Sequence, residues 1–140
     1  MILLDTGPIV ALLDPRDREH ARCRAVLKDL DEPLITTTPV LTEAFHLLPP
    51  GGRGGANLRA FLRRGGAAVW FLDDGLLERC LDLMEQYADH PMDLADASLV
   101  AAAEAAKIRR IFTLDRNDFS TYRLRRGRTT QSFEIVLGPA

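Results

Sequence analysis

A chain of 140 residues with 46% hydrophobic content is long enough to bury a core of its own, and with no linker or internal repeat in view a single domain over residues 1–140 is expected. Its longest apolar stretches fall short of the roughly 18 residues a membrane helix needs. The composition is not that of a disordered chain, and a strand beginning at residue 2 leaves no signal peptide, so a soluble, cytoplasmic protein without membrane association is expected.

The chain order of elements follows from apolar runs and their punctuation. Ile2-Leu3-Leu4 reads as a short buried strand, ended by Asp5-Thr6-Gly7-Pro8 and an apolar helical turn from Ile9 to Leu13. Asp14-Pro15 breaks the chain before a helix from about Arg16 to Leu30, and Pro33 introduces the strand Leu34-Ile35-Thr36. Thr38-Pro39 starts a third helix, hydroxyl as cap and proline at the first helical position, running to Pro49-Pro50. The stretch from Pro49 to Gly55 lacks the lysine and Ser/Thr of a phosphate loop and follows no strand, which makes it a flexible connection with Arg53 free to touch a ligand. A helix from Ala56 to Arg64 closes at Gly65-Gly66, and Ala68 to Leu72 forms a strand. Asp73-Asp74 cap a helix from Leu76 to about Tyr87, and Asp93 caps one running to Ala106 or Lys107. Arg110 to Leu114 is another strand, followed at once by Asp115; residues 116–128 are polar and basic, and Phe133 to Leu137 makes a last strand. Strands alternating with helices predict an α/β fold, a mostly parallel sheet flanked by helices.

Four acidic residues stand out in this frame. Asp5 and Asp115 each follow a strand directly, and in open parallel sheets the ligand crevice lies beyond the carboxyl ends of the strands. Asp96 heads a helical stripe formed by Leu99, Val100 and Ala103, and Glu43 stands between Val40 and Leu47 on another. Acidic side chains are rarely buried unless paired or coordinated. Two unit charges about 5 Å apart at an effective dielectric of about 20 repel by roughly 3 kcal/mol, so such a pocket calls for a hard divalent cation, Mg2+ or Mn2+. Magnesium keeps several waters and leaves coordination open for phosphate oxygens, which points to phosphodiester hydrolysis without a protein nucleophile. Thr6 and Thr113, beside the strand ends, orient a water or a carboxylate, or serve as structural caps.

Other reactive residue types carry less. Cys23 and Cys80 each share a helical stripe with apolar residues and read as core. His20, His46 and His90 have no paired spacing of the zinc kind. The net charge is only −2, but charge is segregated: residues 73–96 hold eight acids and one base, and residues 107–128 eight bases and two acids. Sixteen of the eighteen bases are arginine, whose planar fork grips phosphate. The basic segment is either a solvated face or a phosphate-tracking rim beside the acidic pocket.

Taken in series, ILLDTGPIVALL (residues 2–13), TPVLTEAF (38–45), DLADASLVAAA (93–103) and IFTLDRNDF (111–119) resemble PIN-domain proteins, and within them VapC-type toxin ribonucleases. The resemblance implies a PIN-like three-layer sandwich with about five parallel strands, and a magnesium- or manganese-dependent endoribonuclease. It also implies a homodimer that is inhibited by a cognate antitoxin. By position, Asp5, Glu43, Asp96 and Asp115 match the acidic quartet of that family, with Asp5 and Asp96 as direct metal ligands. Asp93 and Asp118 lie beside the quartet as outer-shell partners, and Arg53 and Arg116 are candidate RNA contacts. The glycine-rich connection at 49–55 departs from the family pattern.

Three other readings compete. Asp5-Thr6-Gly7 is also the triplet of aspartic proteases, but those need an all-β framework, and Pro8, the helical turn and the Ala-rich segment after Asp96 oppose one. A phosphoacceptor receiver domain would use Asp73, yet no acidic pair follows the first strand and no lysine ends a later one. The remaining alternative is a PIN fold that binds RNA or protein with little or no nuclease activity.

Overall fold

The computed structural model describes residues 1–139. β1 (Ile2–Leu4) is completely buried and leads into α1 (Thr6–Leu13), whose N-cap is Asp5. α2 (His20–Asp29) starts a turn later than its sequence predicts. Asp14 and Asp17 accept the amides of Arg16 and Glu19 through their carboxylates at 3.0 and 2.8 Å, and these aspartate turns compete with the helix. β2 (Leu34–Thr37) runs straight into α3 (Thr38–Leu47); Thr37 rather than Thr38 is the cap, because its hydroxyl reaches the Val40 amide. α4 (Arg53–Arg63) takes up the last part of the glycine-rich connection, so Arg53 lies in its first turn.

β3 (Ala68–Trp70), α5 (Asp74–Gln86) capped by Asp73, α6 (Leu94–Ala106) capped by Asp93, and β4 (Arg110–Phe112) follow closely the expected order. The segment expected to be merely polar and basic is structured. It forms α7 (Arg116–Thr121) and a two-stranded antiparallel ribbon of β5 (Arg123–Arg126) and β6 (Thr129–Ser132), turned by Gly127 at φ +58°. Its hidden anchors are Phe119, Tyr122 and Leu124, all fully buried, whose spacing is masked by the arginines between them. The final strand β7 is short, Glu134–Ile135.

The main sheet has the order β3-β2-β1-β4-β7 and every pairing in it is parallel. Right-handed crossovers, the rule for such connections, put the helices between β1 and β3 on one face and those between β3 and β4 on the other. This is the three-layer α/β arrangement expected. Central strands covered on both faces must be apolar throughout, which is why β1 carries no polar residue. Cys23 and Cys80 are buried and free, as core residues. Among the described residues no helix is long and apolar enough to cross a membrane.

Strand order reverses between β1 and β4, and a crevice opens at such a reversal beyond the carboxyl ends of the two strands. Gly7 packs closely there: a Cβ on it would stand 3.2 Å from Leu114 Cδ1, so the Leu114 side chain would have to give way to a larger residue.

Candidate active site

Asp5 ends β1 and Asp115 sits two residues past Thr113 at the end of β4, so the chain delivers both to the same crevice. Asp96 occupies the third position of α6 and Glu43 the middle of α3. A buried polar link sets these two helices: Ser98 Oγ donates to the Ala95 carbonyl at 2.6 Å and stands 2.6 Å from Thr37 Oγ1. Ser98 has spent its proton, so Thr37 is the donor, and the α6 start is tied to the β2–α3 junction.

All four members of the quartet line one cleft of about 990 Å³, together with Asp93 and Asp118. Hydrogen bonds among them are specific. Asp5 Oδ1 accepts the Thr6 amide and Oδ2 accepts Thr113 Oγ1, both at 2.7 Å. Asp93 accepts the Asp96 amide at 2.8 Å, and Asp115 accepts the Asp118 amide at 3.0 Å. Tyr122 donates to Asp96 Oδ2 at 3.1 Å, and the His90 ring pairs with Asp118.

Electrostatics show how poorly the site tolerates its own charge. Burial pushes the Asp5 carboxyl up to about 6 against the pull of the Thr113 and Thr6 hydrogen bonds, with Glu43 and Asp115 adding repulsion. Burial, then the Asp93 and Asp5 charges, drive Asp96 to about 8 although Tyr122 donates to it. Asp115 is raised by desolvation and by the Asp118 carboxylate, against the Asp118 amide and the His90 ring. The Tyr122 phenol is raised in turn, by burial first and then by Asp96, so it remains a neutral donor.

The donor set suits a hard cation. Every acidic group facing the cleft offers oxygen, and Thr6 Oγ1, which belongs to a residue of the same lining, is buried without a protein partner. An unsatisfied hydroxyl beside carboxylates is what a bound water would complete. Among the described residues no three His, Cys, Asp or Glu side chains stand close enough to share an ion directly. Magnesium makes no such demand, since it takes one or two carboxylates and keeps several waters.

The two arginines picked from sequence lie elsewhere. Arg53 lines a separate hollow between the α1 end and the glycine-rich connection. Arg116 donates to the Leu137 carbonyl at 2.8 Å and holds the end of the chain. The basic residues that do line the cleft are Arg18 and Arg22, from the turn before α2 and its first turn. Their approach depends on how α2 docks, and nothing in the sequence singles them out from Arg16 and Arg24 beside them.

An open parallel sheet with a carboxylate-lined crevice at its strand reversal defines a class of fold and site. The PIN domain family model matches residues 2–124, and the chain belongs to that family. It is similar to Ribonuclease VapC26 of Mycobacterium tuberculosis, 27% identical over 125 residues that span 87% of this chain and 92% of that protein. Among solved structures it resembles VapC20 of M. tuberculosis, described as a Sarcin-Ricin loop cleaving toxin, with TM-score 0.76 and 21% identity over 84% of this chain and 92% of that one. It also resembles a chain of a toxin-antitoxin complex from Klebsiella pneumoniae, TM-score 0.65 and 16% identity over 86% and 92% of the two chains.

Proposed function

We propose that this protein is a divalent-metal-dependent endoribonuclease and the toxin of a type II toxin-antitoxin pair, acting on RNA in the cytoplasm. The observation that carries the reading is the quartet: Asp5, Glu43, Asp96 and Asp115, distant in sequence, line one cleft at the strand reversal, and the most buried of them resist ionisation. Family membership and the likeness to a VapC ribonuclease support the same chemistry.

A Mg2+ or Mn2+ ion bound there would supply activation of water and neutralisation of charge at the scissile phosphate. Asp5 and Asp96 would hold it, with Glu43 and Asp115 completing the anionic wall; Asp93 caps the Asp96 amide and the Asp118 amide holds the Asp115 carboxylate as outer-shell partners. Thr113 fixes the Asp5 carboxylate by its hydrogen bond, and Thr6 offers a hydroxyl for a water. The partners are an RNA substrate and a cognate antitoxin. A homodimer also belongs to the proposal. Phe71 at 73% exposure, with Leu77 and Leu81 on α5, offers apolar surface for it.

The test is cleavage of a labelled RNA by purified protein. Activity that needs Mn2+ or Mg2+ and disappears in Asp5→Asn supports the enzyme, once Asp5→Asn prepared in parallel has excluded a contaminating ribonuclease. A second reading, a PIN fold that binds RNA or a protein without cutting, is favoured by the absence of a three-carboxylate cluster among the described residues. RNA binding retained with no metal-dependent cleavage would select it.

A further inference from the structure

Tyr122 lies at the junction of α7 and the β5–β6 ribbon and is fully buried, yet its hydroxyl reaches the wall of the cleft and donates to Asp96 Oδ2 at 3.1 Å. Its ring is gripped edge-on by Tyr87, His90 and Phe119, with centroids 5.1, 5.9 and 5.3 Å away. The backbone is fixed as well. The Tyr122 amide donates to the Asp118 carbonyl at 3.0 Å, and the next amide, of Arg123, donates to Tyr87 Oη at 2.9 Å.

A phenol locked by three aromatic neighbours is a rigid donor, and a carboxylate that accepts from it loses the freedom to rotate. We propose that Tyr122 is a positioning residue for Asp96: it engages Oδ2 and leaves the other oxygen to a divalent cation in the cleft. This rests on the metal-dependent reading above. Groups that orient a ligand in this way are worth about 10- to 100-fold in metal affinity. The device lies in a segment whose sequence reads only as basic, so its role follows from the fold.

Tyr122→Phe removes the hydroxyl and keeps the ring. It is expected to weaken Mn2+ binding, followed by calorimetry, about tenfold or more, and to lower kcat for RNA cleavage while leaving KM for RNA nearly unchanged. Tyr87→Phe is the graded comparison, because it deletes the hydroxyl that accepts the Arg123 amide and bears on Asp96 only through the Tyr122 backbone; it should weaken Mn2+ binding less than Tyr122→Phe does. The chain has only two tyrosines, so 3-fluorotyrosine labelling provides a readout on the unsubstituted protein. Adding Mg2+ should shift the resonance of Tyr122 more than that of Tyr87. Equal Mn2+ affinity in Tyr122→Phe and wild type, or a Tyr122 resonance indifferent to Mg2+, overturns the positioning role while the metal site stands. If Asp5→Asn and Asp96→Asn also bind Mn2+ as the wild type does, the metal site itself falls, and the role of Tyr122 with it.

Discussion

Thr113 Oγ1 donates to Asp5 Oδ2 at 2.7 Å and accepts the Asp115 amide at 3.0 Å, so one buried hydroxyl joins the end of β1 to the end of β4. Asp5 is buried and its negative form is disfavoured, which makes this bond the main side-chain support of the charged carboxylate. Thr113→Val keeps the shape and deletes the donor. The expected result is an RNA cleavage rate lower by about tenfold or more, with Thr113→Ser restoring most of it. In metal-free protein at neutral pH the loss should cost about 1–3 kcal/mol, read from urea unfolding.

The raised carboxyls also set a pH dependence of stability. A group whose folded pKa is raised binds protons in the folded chain after the unfolded chain has released them. The metal-free fold is therefore favoured most at acid pH and is weakened as pH rises from near 3.8 to about 6 for Asp5 and about 8 for Asp96. The unfolding free energy from urea titration in EDTA should fall across that window by an amount on the order of 2 kcal/mol or more. Saturating Mg2+ should flatten the fall by binding the folded state alone. Asp96→Asn should raise the midpoint near pH 8 without metal. A midpoint that climbs with pH in EDTA would contradict the assignment of these shifts.

The core of the site was readable because local signals coincide there with topology. β1 is an unbroken apolar run that Asp5 follows directly, Asp115 comes three residues after β4, and parallel order sends both acids to one edge. Asp96 was legible as an acid heading the stripe of Leu99, Val100 and Ala103, all of which are buried. Glu43 was half legible: Val40 is buried as its stripe requires, but Leu47 is 54% exposed on the cleft wall. What failed lies where tertiary packing decides. Residues 116–128 carry few apolar residues, but Phe119, Tyr122 and Leu124 each find the core and build α7 and the ribbon. Arg18 and Arg22 reach the cleft through the docking of α2, a relationship that no periodicity encodes.

Arg18 is exposed on the cleft wall, while its neighbour Arg22 is engaged by Glu19 at 3.1 Å and by the Gly138 carbonyl. A guanidinium facing an acidic cleft has its use when a phosphate backbone enters. Arg18→Ala should raise KM for RNA several-fold and reduce the slope of log affinity against log salt by about 1, with Mn2+ affinity and kcat retained. Arg53→Ala and Arg116→Ala, assayed alongside, measure the contribution of the two arginines chosen from sequence. Arg116 is tied to Leu137, so its removal should register first in stability. An unchanged salt slope in Arg18→Ala would assign RNA contact elsewhere.

Glu104 anchors the ribbon that follows Tyr122. Its carboxylate accepts Arg79 at 2.8 and 3.1 Å in fork geometry and the Arg125 amide at 2.8 Å, with Arg79 and Glu104 side chains only 19% and 10% exposed. Removing one partner of such a pair leaves the other charge buried and an amide unmatched. Glu104→Ala should therefore cost about 2–4 kcal/mol, and replacing both Arg79 and Glu104 by methionine should recover part of that loss. Because β5 follows Tyr122 directly, loosening it should speed amide exchange at Leu124 and Arg125 and lower cleavage together. Faster exchange in the ribbon with undiminished cleavage would show that the hold of the aromatic cluster on Tyr122 is sufficient without the Glu104 anchor.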